Sequence, residues 1–91
     1  MPGVEGRVAL VTGAGRGIGQ AIAVALAAEG ARIAAISRTE SNAQRTADDL
    51  NEAHPGCARA YAVDVADSGA VAAVGKEVLS DFGRVDVLVN N

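Results

Sequence analysis

The sequence is poor in the side chains that many binding and redox chemistries need. Its 91 residues hold one tyrosine, one phenylalanine and no tryptophan. A stacking platform for single-stranded nucleic acid, which needs exposed aromatic rings, is therefore excluded. The formal charge is −3, so there is no basic footprint for nucleic acid or for an anionic membrane. Cys57 is the single cysteine and cannot close an internal disulfide; a reduced, partly buried thiol in a cytoplasmic protein is expected. His54, the one histidine, has no second ligand pattern beside it, so no metal site is expected. No apolar run reaches membrane-spanning length. The stretch Met1-Pro2-Gly3-Val4-Glu5 lacks the basic and then apolar segments of a signal peptide.

What the chain has in quantity is alanine, valine and glycine. Apolar residues make up 49%, a composition suited to tightly packed α/β layers, and the length allows one small domain. The organising stretch is Thr12-Gly13-Ala14-Gly15-Arg16-Gly17-Ile18-Gly19. The apolar run Arg7-Val8-Ala9-Leu10-Val11 leads into it and a helical pattern from Ile18 to Glu29 leads out. Strand, glycine turn and helix in that order are the context of a dinucleotide-binding turn. The helix that starts there points unpaired N–H groups and its positive dipole end at whatever lies over the turn, and a pyrophosphate is the natural occupant.

Strand and helix patterns alternate four times. Val8 to Thr12 reads as a buried strand. In the first helix Ile18, Ile22 and Leu26 form an apolar stripe, and Ala21, Ala25 and Ala28 are expected to let it sit close on the sheet, with Gly30 ending it. Arg32 to Ser37 is a second strand. A helix capped by Thr39 or Ser41 runs to about Ala53, its narrow buried face made by Ala43, Ala47, Leu50 and Ala53, and His54-Pro55-Gly56 ends it. Ala58 to Val65 is a third strand. Asp67 or Ser68 caps a third helix with Val71, Val74, Val78 and Phe82 on one face, and Gly83 ends it. Val85 to Val89 is a fourth strand. Connections this short imply right-handed βαβ units and a parallel sheet. The fold class is thus α/β, a Rossmann-like parallel sheet of order 3-2-1-4 with flanking helices. The fourth strand is apolar on both sides, which reads as a central strand and not as a protected edge; further strands are expected beside it.

The common G-x-G-x-x-G spacing fails here, because Ile18 stands where its last glycine would fall when counted from Gly13. What fits is T-G-x-x-x-G-x-G, with Gly13, Gly17 and Gly19. This pattern after Val8-Ala9-Leu10-Val11 resembles the short-chain dehydrogenase/reductase family of NAD(P)-dependent oxidoreductases. The resemblance covers the whole chain but only the first part of the family's domain, so residues 1–91 are expected to be an amino-terminal cofactor-binding part. Within the family, Arg7 to Gly19 looks most like the 3-oxoacyl-acyl-carrier-protein reductases.

A nicotinamide cofactor is implied, and residues at the end of the second strand select its form. An acid there takes the ribose hydroxyls of NAD and repels the 2′-phosphate of NADP. Ser37 and Arg38 occupy the position instead, with no acid before Glu40. A serine can donate to a phosphate and a guanidinium can pair with it bidentately; Arg16 can approach from the glycine turn. NADP (NADPH) is therefore favoured over NAD. The plainer readings are that Arg16 only covers the turn and that Arg38 is a solvated loop residue. By resemblance, Asp64 and Val65 receive the adenine and Asn90 and Asn91 line the ribose side. The alternatives are that Asp64 only turns the chain toward Asp67, and that the asparagines bond only to backbone. The cofactor site expected is thus Gly13, Ala14, Gly15, Arg16, Gly17, Ile18, Gly19, Ser37, Arg38, Asp64, Val65, Asn90 and Asn91.

The family protonates its substrate oxygen with a tyrosine whose acidity is raised by a lysine four residues later. Tyr61 is followed at that spacing by Val65, and Lys76, the single lysine, has no tyrosine at the matching position. Tyr61 reads as packing, and no catalytic residue is expected in this chain. The reading is a cofactor-binding part of an NADP-dependent reductase that passes hydride between NADPH and a small carbonyl or alcohol substrate. The resemblance implies a homo-oligomer, dimer or tetramer. Two other readings stand beside it: a non-catalytic nucleotide-binding or interaction module, and a different Rossmann enzyme such as a methyltransferase.

Overall fold

The structure, a computed structural model, describes residues 3–90. Its elements in chain order are β1 (Val8–Thr12), α1 (Gly17–Ala28), β2 (Arg32–Ser37), α2 (Glu40–Ala53), β3 (Ala58–Ala62), α3 (Ser68–Phe82) and β4 (Val87–Val89). The strands form one parallel sheet of order β3-β2-β1-β4, as the alternation predicts. Val8 pairs with Arg32 and Thr12 with Ile36 along β1–β2, while Ala9 to Val11 pair with Val87 to Val89.

Both sheet faces are covered, and the strand residues alternate between two cores as the pleat requires. Ala9, Val11, Ile33 and Ala35 pack with Ala23, Leu26, Ala27, Ala47 and Leu50 of α1 and α2. Val8, Ala34 and Ile36 pack with Tyr61, Val63, Val78 and Phe82 on the side of α3. The split follows from topology. The crossovers through α1 and α2 step one way across the sheet. The β3–β4 crossover steps back past β2 and β1, so a right-handed connection puts α3 on the other face.

The helix ends use local devices. Gly30 N–H bonds the Ala27 carbonyl at 3.0 Å and Ala31 N–H the Leu26 carbonyl at 3.1 Å, the paired closure of a Schellman turn. Asp67 caps α3, its carboxylate accepting from Ala70 N–H at 3.1 Å. Thr39 holds the N-cap position of α2 without a side-chain capping bond.

Several expectations need correction. The face that α1 lays on the sheet is Gly19, Ala23, Leu26 and Ala27; Ala21, Ala25 and Ala28 are exposed, and Ile18 is 71% exposed. The close approach comes from Gly19, Ala23 and Ala27, every fourth residue, one step round from the predicted stripe. On α2 Thr46 is buried and Ala53 is exposed. Val71 is exposed at the start of α3. β3 ends at Ala62, three residues short, although Val63 N–H still reaches the Ser37 carbonyl at 2.9 Å. β4 begins at Val87 because Asp86 works through its side chain as well: its carboxylate accepts from Val8 N–H at 2.9 Å while its own N–H donates to the Val8 carbonyl at 2.9 Å. Beyond β4 no strand follows among the described residues, and Leu88 is 66% exposed.

Candidate cofactor-binding site

A groove of about 680 Å³ opens over the carboxyl ends of β1, β2 and β3. The glycine turn forms one wall and the β2–α2 junction the other. The turn has this shape because of its glycines. Gly13 and Gly17 have φ of +63° and +62°, a region that side chains with a Cβ avoid. Gly15 is needed for a different reason. A Cβ there would come within 2.7 Å of the Asn42 Cβ and 2.9 Å of the Ser37 Oγ.

Behind the groove the turn is fastened from two sides. Ala14 is fully buried; its N–H donates to the Ile36 carbonyl at 2.9 Å and its carbonyl accepts from the Thr46 hydroxyl at 3.0 Å. Above it, α1 starts with an open N-terminus. Arg16 at the N-cap makes no side-chain capping bond, and the first turn carries no acidic residue. The orphan N–H groups and dipole end of that turn favour a negative group.

The opposing wall carries hydroxyl and guanidinium groups. Ser37 Oγ accepts from Thr39 N–H at 3.3 Å, which leaves its own proton to donate. Arg38 is exposed beside it. Neither Arg16 nor Arg38 forms an ion pair among the described residues, and no carboxylate lines the groove among them. The site is locally cationic on a chain of net negative charge. An anion site of this kind can be made by a few oriented N–H groups and two arginines.

Of the predicted residues, Gly13, Gly15, Arg16, Gly17, Ile18, Ser37, Arg38 and Val65 line the groove. The exposure of Ile18 that breaks the predicted α1 stripe places its side chain on this wall. Ala14 and Gly19 lie behind, as packing under the turn. Asp64 is exposed next to Val65, and its carboxylate accepts from Ala66 N–H at 2.9 Å, the local turn weighed above as the alternative. Asn90 sits at the end of β4, its side-chain oxygen 3.4 Å from the Thr12 hydroxyl as acceptor. Asn91 lies outside the described residues. Thr12, Ile36, Thr39, Asn42 and Val63 also line the groove and are not among the predicted site residues; Ile36 reads as strand and Thr39 as a helix cap. Val63 was legible only as strand, and Asn42 carries no motif.

The remaining reactive groups lie away from the groove or are inert. The Tyr61 hydroxyl donates to Asp81 at 2.6 Å on the α3 side of the sheet. Burial, and then that carboxylate, push its pKa well above the ordinary phenol value. Lys76 is exposed on α3. Burial pushes the Cys57 thiol up as well, away from nucleophilic character. Among the described residues no group of three or more His, Cys, Asp or Glu could hold a metal ion, and no helix is long and apolar enough to cross a membrane.

Comparison with known proteins agrees with this geometry. The family model for short chain dehydrogenases matches residues 7–91. D-threitol dehydrogenase of Mycolicibacterium smegmatis is 48% identical over 88 residues, which are 97% of this chain and 34% of that protein. The 3-oxoacyl-[acyl-carrier-protein] reductase FabG of Vibrio cholerae is 46% identical over 88 residues, again 97% of this chain and 34% of the relative. The chain thus spans about a third of the length of these relatives. A metagenomic short-chain oxidoreductase solved in complex with NADP superposes with a TM-score of 0.89 at 43% identity, over 97% of this chain and 39% of that one. Other solved neighbours hold NADPH, NADH or NAD+. With the fold, the glycine turn and these matches together, the chain belongs to the short-chain dehydrogenase family.

Proposed function

We propose that the groove binds NADPH in preference to NADH, and that the protein in which it works passes hydride between NADPH and a carbonyl or alcohol substrate. The observation that carries this reading is the pairing of two walls. The uncapped N-terminus of α1 faces one side of the groove, and Ser37 and Arg38 stand on the other with no carboxylate between them. Gly13 to Gly19, with Arg16 and Ile18, hold the pyrophosphate. Ser37 and Arg38 hold the 2′-phosphate. Asp64 and Val65 take the adenine, and Asn90 and Asn91 the ribose side. The cofactor supplies the hydride when bound; the residues of this chain bind it, orient it and select its phosphorylated form.

The substrate is a small molecule, and a 3-oxoacyl thioester fits the likeness of Arg7 to Gly19 to that of the acyl-carrier-protein reductases. A cytoplasmic homo-oligomer, dimer or tetramer, is the assembly that goes with this reading. The test is NADPH consumption by the purified protein against a panel of ketones and 3-oxoacyl thioesters. Turnover with NADPH and little with NADH supports the reading.

One observation favours a second reading, a nucleotide-binding module without turnover: Tyr61, the one tyrosine of these residues, is committed to Asp81 on the α3 side of the sheet. NADPH binding with no consumption on any substrate would select it.

A further inference from the structure

Thr46 is the one buried polar residue among the described residues, 1% exposed in the otherwise apolar face of α2. Its hydroxyl donates to the Ala14 carbonyl at 3.0 Å, in the middle of the glycine turn and 32 residues away in sequence. An apolar residue would satisfy packing at this position, so the hydroxyl needs an explanation of its own.

The bond closes a small frame. Ala14 N–H is tied to the Ile36 carbonyl at 2.9 Å, one residue before Ser37. Gly15 lies against Ser37 and Asn42, with no room for a Cβ. Thr46 stands one helical turn beyond Asn42, on the same side of α2. The glycine turn is thereby bonded to the end of β2 through Ala14 N–H and to α2 through Ala14 C=O. Ser37 is the last residue of β2, and Arg38 lies in the short link between β2 and α2.

We infer that Thr46 is a positioning residue for cofactor choice: it fixes the separation between the glycine turn and the Ser37–Arg38 wall. This rests on the NADPH reading above. A ligand held at both walls needs their spacing fixed before it binds. If the spacing can drift, simultaneous contact must be recovered from the binding free energy. NADPH spans both walls through its pyrophosphate and its 2′-phosphate. NADH lacks the 2′-phosphate and depends on the turn alone for its pyrophosphate. Loss of the Thr46 bond therefore weakens NADPH more than NADH.

The experiment compares dissociation constants for NADPH and NADH in the purified wild-type protein and in Thr46→Val and Thr46→Ser, by calorimetric titration, with thermal midpoints recorded alongside. Thr46→Val keeps the shape and removes the donor. Its NADPH-over-NADH preference is expected to fall about five- to tenfold, chiefly through weaker NADPH binding. Thr46→Ser keeps the donor and is expected to keep the wild-type preference even with a lower melting temperature. A Val variant that loses stability but keeps the wild-type preference overturns the inference and leaves Thr46 a structural residue. So does a Ser variant whose preference falls as far as the Val variant's is expected to, which also decides the matter if the Val variant does not fold. A wild-type protein with no preference for NADPH instead overturns the reading of the groove on which the inference rests.

Discussion

Gly15 and Asn42 meet at one edge of the groove so closely that a Cβ on Gly15 would lie 2.7 Å from the Asn42 Cβ and 3.3 Å from the Ser37 Cβ. Neither neighbour can yield by rotating a flexible side chain, because a Cβ moves only with its backbone. Gly15→Ala is therefore expected to cost about 1–3 kcal/mol of stability, the range for overpacking a fitted site. It is also expected to weaken NADPH binding by roughly tenfold or more, about 1.4 kcal/mol per decade, as the two walls are forced apart. Adding Asn42→Gly removes the nearer obstacle and should restore part of the affinity. Thermal unfolding and NADPH titration of the single and double variants check this; a Gly15→Ala protein as stable and as tightly binding as wild type contradicts it.

Arg38 and Arg16 stand exposed at the groove with no ion-pair partner among the described residues. A charge-assisted bond to a phosphate is worth about 1.5–3 kcal/mol. Arg38→Ala should then raise the NADPH dissociation constant by roughly tenfold or more and leave NADH within about twofold. Raising the salt concentration should narrow the wild-type difference between the cofactors, since exposed charges are screened. Equal losses for both cofactors in Arg38→Ala would instead mean a general effect on the wall.

Asp86 ties the start of β4 to β1 and carries a pH signature. The hydrogen bond from Arg84, at 2.6 Å, and then the Val8 N–H hold its carboxyl below the usual carboxylate range. A depressed folded-state pKa contributes stability above the unfolded value, about 3.9, and that contribution is lost as the pH falls toward the folded value. Wild-type thermal midpoints should therefore drop as the pH is lowered below about 4. Asp86→Asn should be less stable at neutral pH and show a shallower drop. Parallel midpoint–pH curves for the two proteins would contradict this role.

Tyr61 provides a control on the other sheet face. Its hydroxyl bond to Asp81 contributes to stability, and neither Tyr61 nor Asp81 lines the groove. Tyr61→Phe should cost about 1 kcal/mol and leave NADPH affinity unchanged. Because the folded phenol keeps its proton above the ordinary range, its contribution is full below about pH 10 and fades as the pH rises further. A large loss of NADPH binding in this variant would show that the α3 face and the groove are coupled.

The parts of this molecule legible in the sequence are those set by short-range rules. The glycine turn, the apolar runs of β1 and β2 and the helix stops at Gly30 and Gly83 each depend on neighbours within a few residues. So does the Asp67 cap. The parallel order followed from alternation and handedness. What was not legible depends on contacts distant in sequence. The stripe Ile18–Ile22–Leu26 looks like a core face, yet Ile18 belongs to the groove, and Gly19, Ala23 and Ala27 join Leu26 and the partly buried Ile22 against the sheet. Thr46 reads as an ordinary polar helix residue until Ala14, 32 positions earlier, is seen beside it. The apolar Val85 reads as the start of β4, but the strand begins at Val87, and the Asp86 carboxylate takes over the pairing to Val8 there. Within the candidate site, the glycine turn and Ser37–Arg38 are legible as motif. Ile36, Thr39, Asn42 and Val63 are not: Ile36 and Val63 read as strand, Thr39 as a helix cap, and only the three-dimensional approach of α2 brings Asn42 in.

The groove between the α1 N-terminus and Ser37–Arg38 is proposed to select the phosphorylated cofactor. The most direct test is a paired titration of the purified protein with NADPH and with NADH under one buffer and salt condition. Saturable binding of both is expected, with NADPH about tenfold or more tighter. Equal affinities, or tighter binding of NADH, would contradict the assignment of Ser37 and Arg38 to the 2′-phosphate.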